Sequence, residues 1–569
     1  MFLHRHFRII VLAVVAVMGT IEVWTALGET QAWDEGIHIS AGYAYLTQGS
    51  YRWNIEHPPL AKIMCALPLL ALHLSMPTNG PGWKKGDEVQ LGVEFLYLNR
   101  VRADSILFPA RCMTILLTML FGIALAWWMR RRFGAPAAVL ALCLYAFDPN
   151  LIAHGHYVTT DVPVTVFYFL ACVLWADYLE SGRFRDLVIA AAAFAIAMVT
   201  KFSAVLLIPT LAVLYGVRWF QTPREFSWRR LGIALAVVSG ATFLVVNVVY
   251  WPETLRCLTT NVEPLTAVVD RSTAVGKILY IAGKCFGLPA HTFFTGLSAV
   301  ASHNKDGHAS YLLGMRSDQG WWYYFPVVFA VKSTMATLAA TALLLAAGIW
   351  LAATRVSRRV IQQARAVPFV WIALLFPPLF YFIFSMTSAI NIGVRHILPV
   401  YPFLYAAAAA LLVQWSARRI LWFAAIGLAA LQIGECASIF PDYLAFFNAL
   451  SGGPGNGPHY LVDSNIDWGQ DVKKLARWLH AHGTNKAWVC YFGNTSMRYY
   501  GVEDNNFPEP LDRNGWAQID GYAVANVTVL QGVYVPLAQL APLRLAKPIA
   551  KIGYSMYVYD FRKHHAAVH

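Results

Sequence analysis

The stretch Phe7–His38, FRIIVLAVVAVMGTIEVWTALGETQAWDEGIH, joins an apolar run directly to an acidic pair. Residues 7–27 carry few charges, and about 20 apolar residues are enough for a helix to cross the hydrocarbon core of a bilayer. A cleaved signal peptide is the alternative, but the run is long for one, carries Glu22 and lacks a clear small-x-small cleavage site. We therefore expect a retained anchor that is followed at once by Asp34 and Glu35.

Similar apolar runs recur along the chain. Hydrophobic residues make up 58% of the 569 residues and charged residues only 13%, about half the charged share of a soluble protein. The fold class expected is therefore a mainly α-helical polytopic membrane protein with eleven transmembrane helices. The predicted spans are 7–27, 106–129, 135–153, 162–179, 187–200, 203–219, 231–250, 325–352, 367–387, 396–415 and 419–437.

The arginines give the orientation. With the N-terminus inside, the outer loops 28–105 and 251–324 are close to charge balance, and arginines collect at the inner ends of the spans, a strong positive-inside pattern. These inner arginines are Arg5, Arg8, Arg130, Arg131, Arg132, Arg183, Arg185, Arg218, Arg224, Arg229, Arg230, Arg355, Arg358, Arg359, Arg365, Arg418 and Arg419.

This orientation requires that residues 58–75 do not cross the membrane. The segment begins with two prolines and carries Lys62 and His73, so we expect a juxtamembrane or re-entrant helix at the outer interface. If it did cross, every later basic cluster would lie outside. If 58–75 crossed and a short span such as 187–200 did not, the later basic clusters would again lie inside.

Charge and cysteine usage exclude other classes of protein. The net charge is +13, yet residues 440–569 hold 11 Lys and Arg against 10 Asp and Glu, so the basic excess lies in the membrane part. A basic stripe on a soluble domain would indicate a nucleic-acid partner, and the sequence contains no such stripe. Cys257 and Cys285 share one outer loop and would form a disulfide there or remain two free thiols.

The topology gathers ionisable residues of both signs on the outer face, where they usually pair or line a cavity. Such a cluster suits a phosphate-bearing ligand held by cations near a carboxylate base. Each residue also has a structural interpretation: Asp161 as a helix cap, Asp148 as a turn former, the lysines as interfacial anchors, and Arg395 with His396 as lipid contacts. The cluster consists of Asp34, Glu35, His57, Lys62, Asp148, His154, His156, Asp161, Lys201, Lys332, Arg395 and His396.

The tail changes character after Pro441. Strand candidates at 459–463 and 487–492, a helix candidate at 470–482 and β-rich pieces at 521–530 and 554–560 predict a small extracytoplasmic α/β domain over 440–569, beside a membrane domain over 1–439. Residues 463–471 resemble a calcium loop, but the glycine is one position late and the distal glutamate is missing, so a helix-entry turn is favoured.

Several motifs resemble those of the protein O-mannosyltransferases and the related bacterial lipid A aminoarabinose transferases. Five carry the general resemblance, namely Asp34–Glu35, His57–Lys62, Arg131–Gly134, Ala146–Asn150 and Thr160–Asp161. Three more resemble a bacterial branch of that group, namely Gly320–Pro326, Asn391–His396 and Asp463–Asp471. The similarity covers most of the membrane region, and the large MIR domain of the eukaryotic enzymes is not evident.

The resemblance implies a GT-C membrane glycosyltransferase with a polyprenyl-phosphate sugar donor and transfer on the outer face. Asp34 matches the family's first-loop carboxylate, Asp161 a second acidic position, and His57 a place where related enzymes have a cation. Asp34 is the expected general base, and Glu35 would orient the acceptor or share that role. The leaving phosphate would be stabilised by some of Lys62, Lys201, Lys332 and Arg395.

No cofactor is assigned. A divalent metal remains open, because His154, His156 and Asp161 would offer ligands, but their spacing fits no template. The expected partners are the donor, membrane lipids and a lipid, glycan or protein acceptor, in a bacterial inner membrane with the site on the periplasmic side. Two other classes stay open, a secondary transporter, against which the chain shows no internal repeat, and a noncatalytic envelope scaffold.

Overall fold

The structure is a computed structural model, and it describes residues 2–225, 227–259, 271–286, 290–355, 367–414, 419–508 and 511–562. Helices dominate the first 440 residues. In chain order they are α1 (Phe2–Gly28), α2 (Trp33–Gln48), α3 (Leu60–Ala66), α4 (Pro81–Lys85), α5 (Glu88–Tyr97), α6 (Ala103–Phe133), α7 (Ala135–Ala146), α8 (Pro149–Gly155), α9 (Asp161–Ser181), α10 (Phe184–Met198), α11 (Leu207–Gln221) and α12 (Trp228–Val249).

The next helices are α13 (Trp251–Thr259), α14 (Ala274–Phe286), α15 (His291–Asp306), α16 (Tyr324–Lys332), α17 (Met335–Arg355), α18 (Phe369–Ser385), α19 (Tyr401–Gln414) and α20 (Arg419–Ser438). A short hairpin, β1 (Ser310–Leu312) with β2 (Met315–Ser317), precedes α16. The centre of the bundle is α7, which packs against α1, α6 and α19. Its buried alanines, such as Ala138 and Ala141, let neighbouring helices approach closely.

The count of membrane spans rests on length and composition. Within the described residues, seven helices are long and apolar enough to cross a membrane, and nine if each of two bent pairs, α7 with α8 and α16 with α17, is one span. Predicted spans 187–200 and 367–387 correspond to the shorter helices α10 and α18, of 15 and 17 residues. The mainly helical polytopic fold is confirmed, whereas eleven spans remain a prediction.

Residues 58–75 form no long helix. They fold into α3 and a short 3-10 helix, Leu67–Leu72, of 7 and 6 residues. At 1.5 Å per residue this stretch is about 20 Å long, well short of a hydrocarbon core of about 30 Å. The chain can pack α3 against α2 this closely because Gly42 has no Cβ, which would lie 2.2 Å from the Lys62 carbonyl oxygen.

Helix α9 carries ion pairs at both of its ends. At the C-terminal ends of α6 and α9, Arg131 and Arg132 both pair with Asp177, and Arg132 also reaches Glu180 at 2.6 Å. Asp161 lies at the other end of α9, about 24 Å away along the helix axis. The arginine cluster and the acidic start of α9 therefore lie at opposite ends of one helix.

The tail contains a five-stranded sheet in the order β4-β3-β5-β7-β6. The strands are β3 (Lys486–Cys490), β4 (Glu503–Asn506), β5 (Tyr522–Asn526), β6 (Ala550–Ile552) and β7 (Met556–Asp560), and the helices are α21 (Val472–Ala481), α22 (Arg513–Ala517), α23 (Val527–Leu530) and α24 (Ala541–Leu545). β3 is parallel to β4 and β5, and β7 is antiparallel to β5 and β6. The predicted small α/β fold of this region is confirmed.

Two further predictions concern a strand at 459–463 and a disulfide between Cys257 and Cys285. The strand predicted at 459–463 is wrong: 3-10 helices Pro454–His459 and Asp463–Asn465 flank this stretch, and Asp463 has a positive φ of 59°, which is incompatible with a strand. The side chains of Cys257 and Cys285 lie outside the described part of the structure, so their disulfide stays a prediction.

Candidate active site

A cavity of about 900 Å³ opens where the first loop, the membrane helices and the tail domain meet. The first loop contributes Trp33, Asp34, His38 and His57 to its wall. Other walls are formed by membrane-domain residues Lys201, Tyr381, Arg395 and His396, and by tail residues Asp463, Trp468, Phe492 and Tyr534.

An ion-pair chain runs along this cavity. Arg395 Nη1 lies 2.8 Å from Asp34 Oδ2 and 3.6 Å from Asp161 Oδ2, and Lys201 Nζ pairs with the other oxygen of Asp161. The Asp34 side chain keeps 20% of its surface exposed, against 1% for Asp161. Of the two aspartates in these ion pairs, Asp34 is therefore the one whose carboxylate a ligand in the cavity can reach.

Residues of the tail hold Arg395 in place. Its guanidinium lies over the Trp468 ring at 4.4 Å, and its Nε donates to Ser464 Oγ at 3.2 Å. The Val394 amide beside it donates to Asn465 Oδ1 at 3.0 Å. A planar guanidinium that is stacked and hydrogen-bonded loses little further entropy when it binds an anion.

The tail also positions the loop before Asp34. The Trp33 amide donates to the Trp468 carbonyl and the Thr30 amide to the Gln470 carbonyl, each at 2.9 Å. Asn494 Nδ2 donates to the Trp33 carbonyl at 3.1 Å. The motif at 463–471, which the sequence assigns to a helix-entry turn, thus supports both Asp34 and Arg395.

Glu35 is separated from the cavity. It is fully buried, and Arg111 donates to both of its oxygens, Nε to Oε1 at 2.9 Å and Nη2 to Oε2 at 2.6 Å. The backbone amides of Ala32 and Val158 donate to the same carboxylate. Glu35 also completes the N-terminal cap of α2, as a glutamate at the third helical position often does. These contacts fix α2, and with it the neighbouring Asp34.

Histidines also line the cavity. His38 and His57 pack edge to face with ring centroids 5.5 Å apart. Burial lowers the pKa of His38 to about 4 and that of His57 well below its usual value, because a buried ring loses the hydration of its charge. His57 Nδ1 and His396 Nε2 are buried without a hydrogen-bond partner among the described residues. Both residues line the cavity.

Lys62 and Lys332, two predicted phosphate contacts, do not line the cavity. Lys62 Nζ donates to the carbonyls of Asn54 and His57 and to Asn54 Oδ1, at 2.7, 2.7 and 3.2 Å. Lys332 Nζ donates to the carbonyls of Leu444 and Asn465 at 2.9 and 2.6 Å. Neither lysine lines the cavity, so both tie backbone segments together and are not placed to bind a phosphate there.

Asp148 and His156 also make structural contacts. Asp148 accepts from the amides of Asn150 and Leu151 and so caps the start of α8, which fits a structural role at this turn. His156 Nε2 lies 3.0 Å from Glu29 Oε2, away from the cavity wall.

The possible metal ligands do not converge. No group of three or more His, Cys, Asp or Glu side chains in the described ranges is arranged to hold a metal ion. The side chains of residues 463–471 likewise diverge: Asp467 accepts from Asn526, while Asp471 pairs with Lys474. Within the described residues, therefore, neither His154 with His156 nor the loop 463–471 forms a metal site.

The sequence reasoning missed His38, Asp463 and Trp468 as parts of the cavity wall. His38 lies one helical turn after Asp34 on α2, and this spacing was a usable signal. Asp463 and Trp468 belong to a motif whose likeness to a bacterial branch was noted, but nothing in their local pattern showed that they would fold back against the first loop.

Residues 99–251 match the family described as dolichyl-phosphate-mannose-protein mannosyltransferase. This range contains α6 to α12, including Asp161 and Lys201. The match confirms the predicted resemblance to the GT-C membrane glycosyltransferases and the prediction of an enzyme of that class. A sequence comparison with curated proteins finds no match.

Two solved structures of one protein align along almost the whole chain. They are ArnT from Cupriavidus metallidurans bound to undecaprenyl phosphate, with a TM-score of 0.44 and 14% identity, and the same protein in the apo state, with a TM-score of 0.30 and 15% identity. Each alignment covers 96% of this chain and 97% of the other. Both TM-scores are too low to establish a common fold.

Proposed function

We propose that the protein transfers a sugar from a polyprenyl-phosphate donor to an acceptor hydroxyl, with Asp34 as the general base. The observation that carries this proposal is the reachable carboxylate of Asp34, 2.8 Å from the Arg395 guanidinium in a large cavity. A base beside a fixed cation is what transfer from a phosphate-linked donor requires. The resemblance of the chain to glycosyltransferases of this class supports the same chemistry.

The reaction breaks one bond and forms another. The acceptor oxygen attacks the anomeric carbon, the bond from that carbon to the phosphate oxygen breaks, and the polyprenyl phosphate leaves with the electron pair. Asp34 takes the proton of the acceptor hydroxyl. Attack from the face opposite the leaving group inverts the configuration at the anomeric carbon.

Arg395 and Lys201 would receive the donor phosphate. In the structure both are paired with carboxylates, so the phosphate competes for them when it enters. An arginine that shifts from Asp34 towards the phosphate both stabilises the leaving group and frees the carboxylate to act as a base. Asp161, almost fully buried, would keep the two cations at one place.

A second cavity suits the prenyl chain. It has a volume of about 780 Å³ and is lined almost entirely by apolar residues of α10, α11, α12 and α15. Phe202 lines the active-site cavity and Phe293 lines this one, and their ring centroids lie 5.3 Å apart. The phosphate would lie at Lys201 while the isoprenoid units extend past these rings into the apolar cavity.

The proposed site lies at the outer face of a bacterial inner membrane. The arginines at the opposite end of α9 support this orientation, because basic residues favour the cytoplasmic side. The acceptor would then be a lipid, glycan or protein of the envelope.

Labelled polyprenyl-phosphate sugars test the proposal. The purified full chain, reconstituted with bacterial envelope extract, should move the label from at least one donor of a panel into a covalent product. The Lys201→Met variant should raise the KM for the donor, and the Lys305→Met variant, altered at an exposed lysine outside the cavity, should not. Label that crosses the membrane without a product would overturn the proposal in favour of transport, and neither flux nor transfer would favour a scaffold.

A further inference from the structure

The tail domain contributes a stack of aromatic rings to the cavity wall. The rings of Trp33 and Phe492 lie 5.0 Å apart with an interplanar angle of 22°, and those of Phe492 and Tyr534 lie 5.4 Å apart at 14°. All three side chains line the active-site cavity. Trp33 is the residue before Asp34, so the stack begins directly beside the proposed base.

The outer ring of the stack is accessible. Tyr534 is 49% exposed, whereas Phe492 is 6% exposed. A ring that only filled the domain core would be covered on both sides, as Phe492 is. The tyrosine hydroxyl makes no hydrogen bond within the residues that the structure describes, so it is available to a ligand.

A second carboxylate lies on the same wall. Asp463 lines the cavity, and its Oδ1 accepts from the Ser464 amide at 2.6 Å. Its backbone has a positive φ of 59°, a conformation that costs a non-glycine residue energy and is concentrated at functional sites. Burial raises the pKa of Asp463, and the nearby Arg395 opposes that rise. Asp463 Oδ2 accepts no hydrogen bond within the described residues.

We propose that Tyr534 and Asp463, with Phe492 and Trp33 stacked behind the tyrosine ring, form an acceptor subsite that binds a pyranose ring, so that the acceptor is a glycan or the sugar part of a glycolipid. Flat aromatic faces bind the C–H face of a sugar, and a carboxylate at the rim accepts from its hydroxyls. An acyl chain would leave Asp463 without a donor. This inference rests on the proposed function for the role of the bound sugar as acceptor.

The subsite also fixes the geometry of transfer. A sugar stacked on the Tyr534 ring and bound by Asp463 would present a neighbouring hydroxyl to Asp34, because Arg395 lies close to both carboxylates. The tail domain then selects the acceptor, while the membrane helices hold the donor.

Saturation-transfer NMR on the purified full chain tests the subsite without any donor. The probes are methyl glycopyranosides of glucose, mannose and galactose, a Ser/Thr peptide and a lysophospholipid. We expect saturation of the ring protons of at least one glycoside. The Tyr534→Ala variant should bind it about tenfold more weakly, whereas Tyr499→Ala, altered at an aromatic residue of the same domain that does not line the cavity, should bind it as the wild type does.

Tyr534→Ala is the decisive variant because its exposed ring can be removed without opening the domain core. Absence of saturation for every glycoside would overturn the subsite, as would equal saturation in the Tyr534→Ala variant, or saturation of the peptide or lysophospholipid alone. Release of labelled sugar to water, measured without acceptor, reports on the proposed function separately. Glycoside binding with no release from any donor would contradict the glycosyltransferase and leave the sugar subsite standing.

Discussion

Asp34 and Arg395 are 361 residues apart in the chain, yet Arg395 Nη1 and Asp34 Oδ2 lie 2.8 Å apart. The pair joins the first loop to the start of the helix that leads into α19, and Trp468 of the tail covers the guanidinium. Three separate parts of the chain therefore meet at one ion pair. The pair would have to open, at least partly, for Asp34 to accept a proton.

Glu35 should act through the stability of the fold. The Glu35→Gln variant leaves the buried guanidinium of Arg111 without its counter-ion, and breaking such a pair costs about 3–5 kcal/mol. We expect a clear drop in the unfolding temperature of the detergent-solubilised protein, and lost turnover only in proportion to the folded fraction.

The double variant Glu35→Gln with Arg111→Met is the control, because removal of both charges is often close to neutral. It should recover much of the lost stability and activity. Full stability of Glu35→Gln combined with abolished turnover would instead make Glu35 a catalytic residue.

Lys62 should stabilise the first loop. The Lys62→Met variant leaves the carbonyl oxygens of Asn54 and His57 without their donor, at about 1–3 kcal/mol for a buried group. We expect lower thermal stability and an unchanged KM for the donor in the folded enzyme. A raised donor KM with normal stability would instead indicate that Lys62 binds the donor phosphate.

The tail domain should lose stability as the pH rises. Burial raises the pKa of Asp467 from 3.8 to about 7, so the folded state binds more protons than the unfolded state between these values. The stabilisation is complete below pH 3.8 and is lost as the pH rises through about 7. Thermal unfolding followed from pH 4 to about pH 8 should show this decline in the wild type and a flatter profile in Asp467→Asn.

The matched control is Asp520→Asn, altered at an exposed aspartate of the same domain. It should keep the wild-type profile. A decline of the same size in Asp467→Asn would show that another group titrates.

Much of this architecture could be read from local patterns. The apolar runs predicted the helical bundle, and the proline pair with Lys62 fits the short helices found over 58–75. Asp34, Lys201, Arg395 and His396, which the predicted topology places on one face, line one cavity in the structure. Such patterns depend on residues close in sequence, or on which side of the membrane each loop lies.

What could not be predicted depends on the direction of side chains. Asp34 and Glu35 are adjacent, so the sequence treats them as a pair, but on a helix they point about 100° apart. One therefore reaches the cavity and the other Arg111. Lys62 and Lys332 were both predicted to lie on the outer face, yet the ammonium group of each donates to backbone carbonyls that only the folded chain brings near. The contact of Trp468 with Trp33 in the first loop spans more than 400 residues, and no local pattern encodes it.

The most direct test of the account is the turnover of labelled polyprenyl-phosphate sugar by the Asp34→Asn variant. Asparagine keeps the size of the side chain but cannot accept a proton, and loss of a general base lowers the rate about 10²–10⁴-fold. We expect transfer to fall by at least the lower figure while the unfolding temperature stays near that of the wild type. Turnover close to the wild-type rate in the folded variant would contradict the assignment of Asp34 as the base.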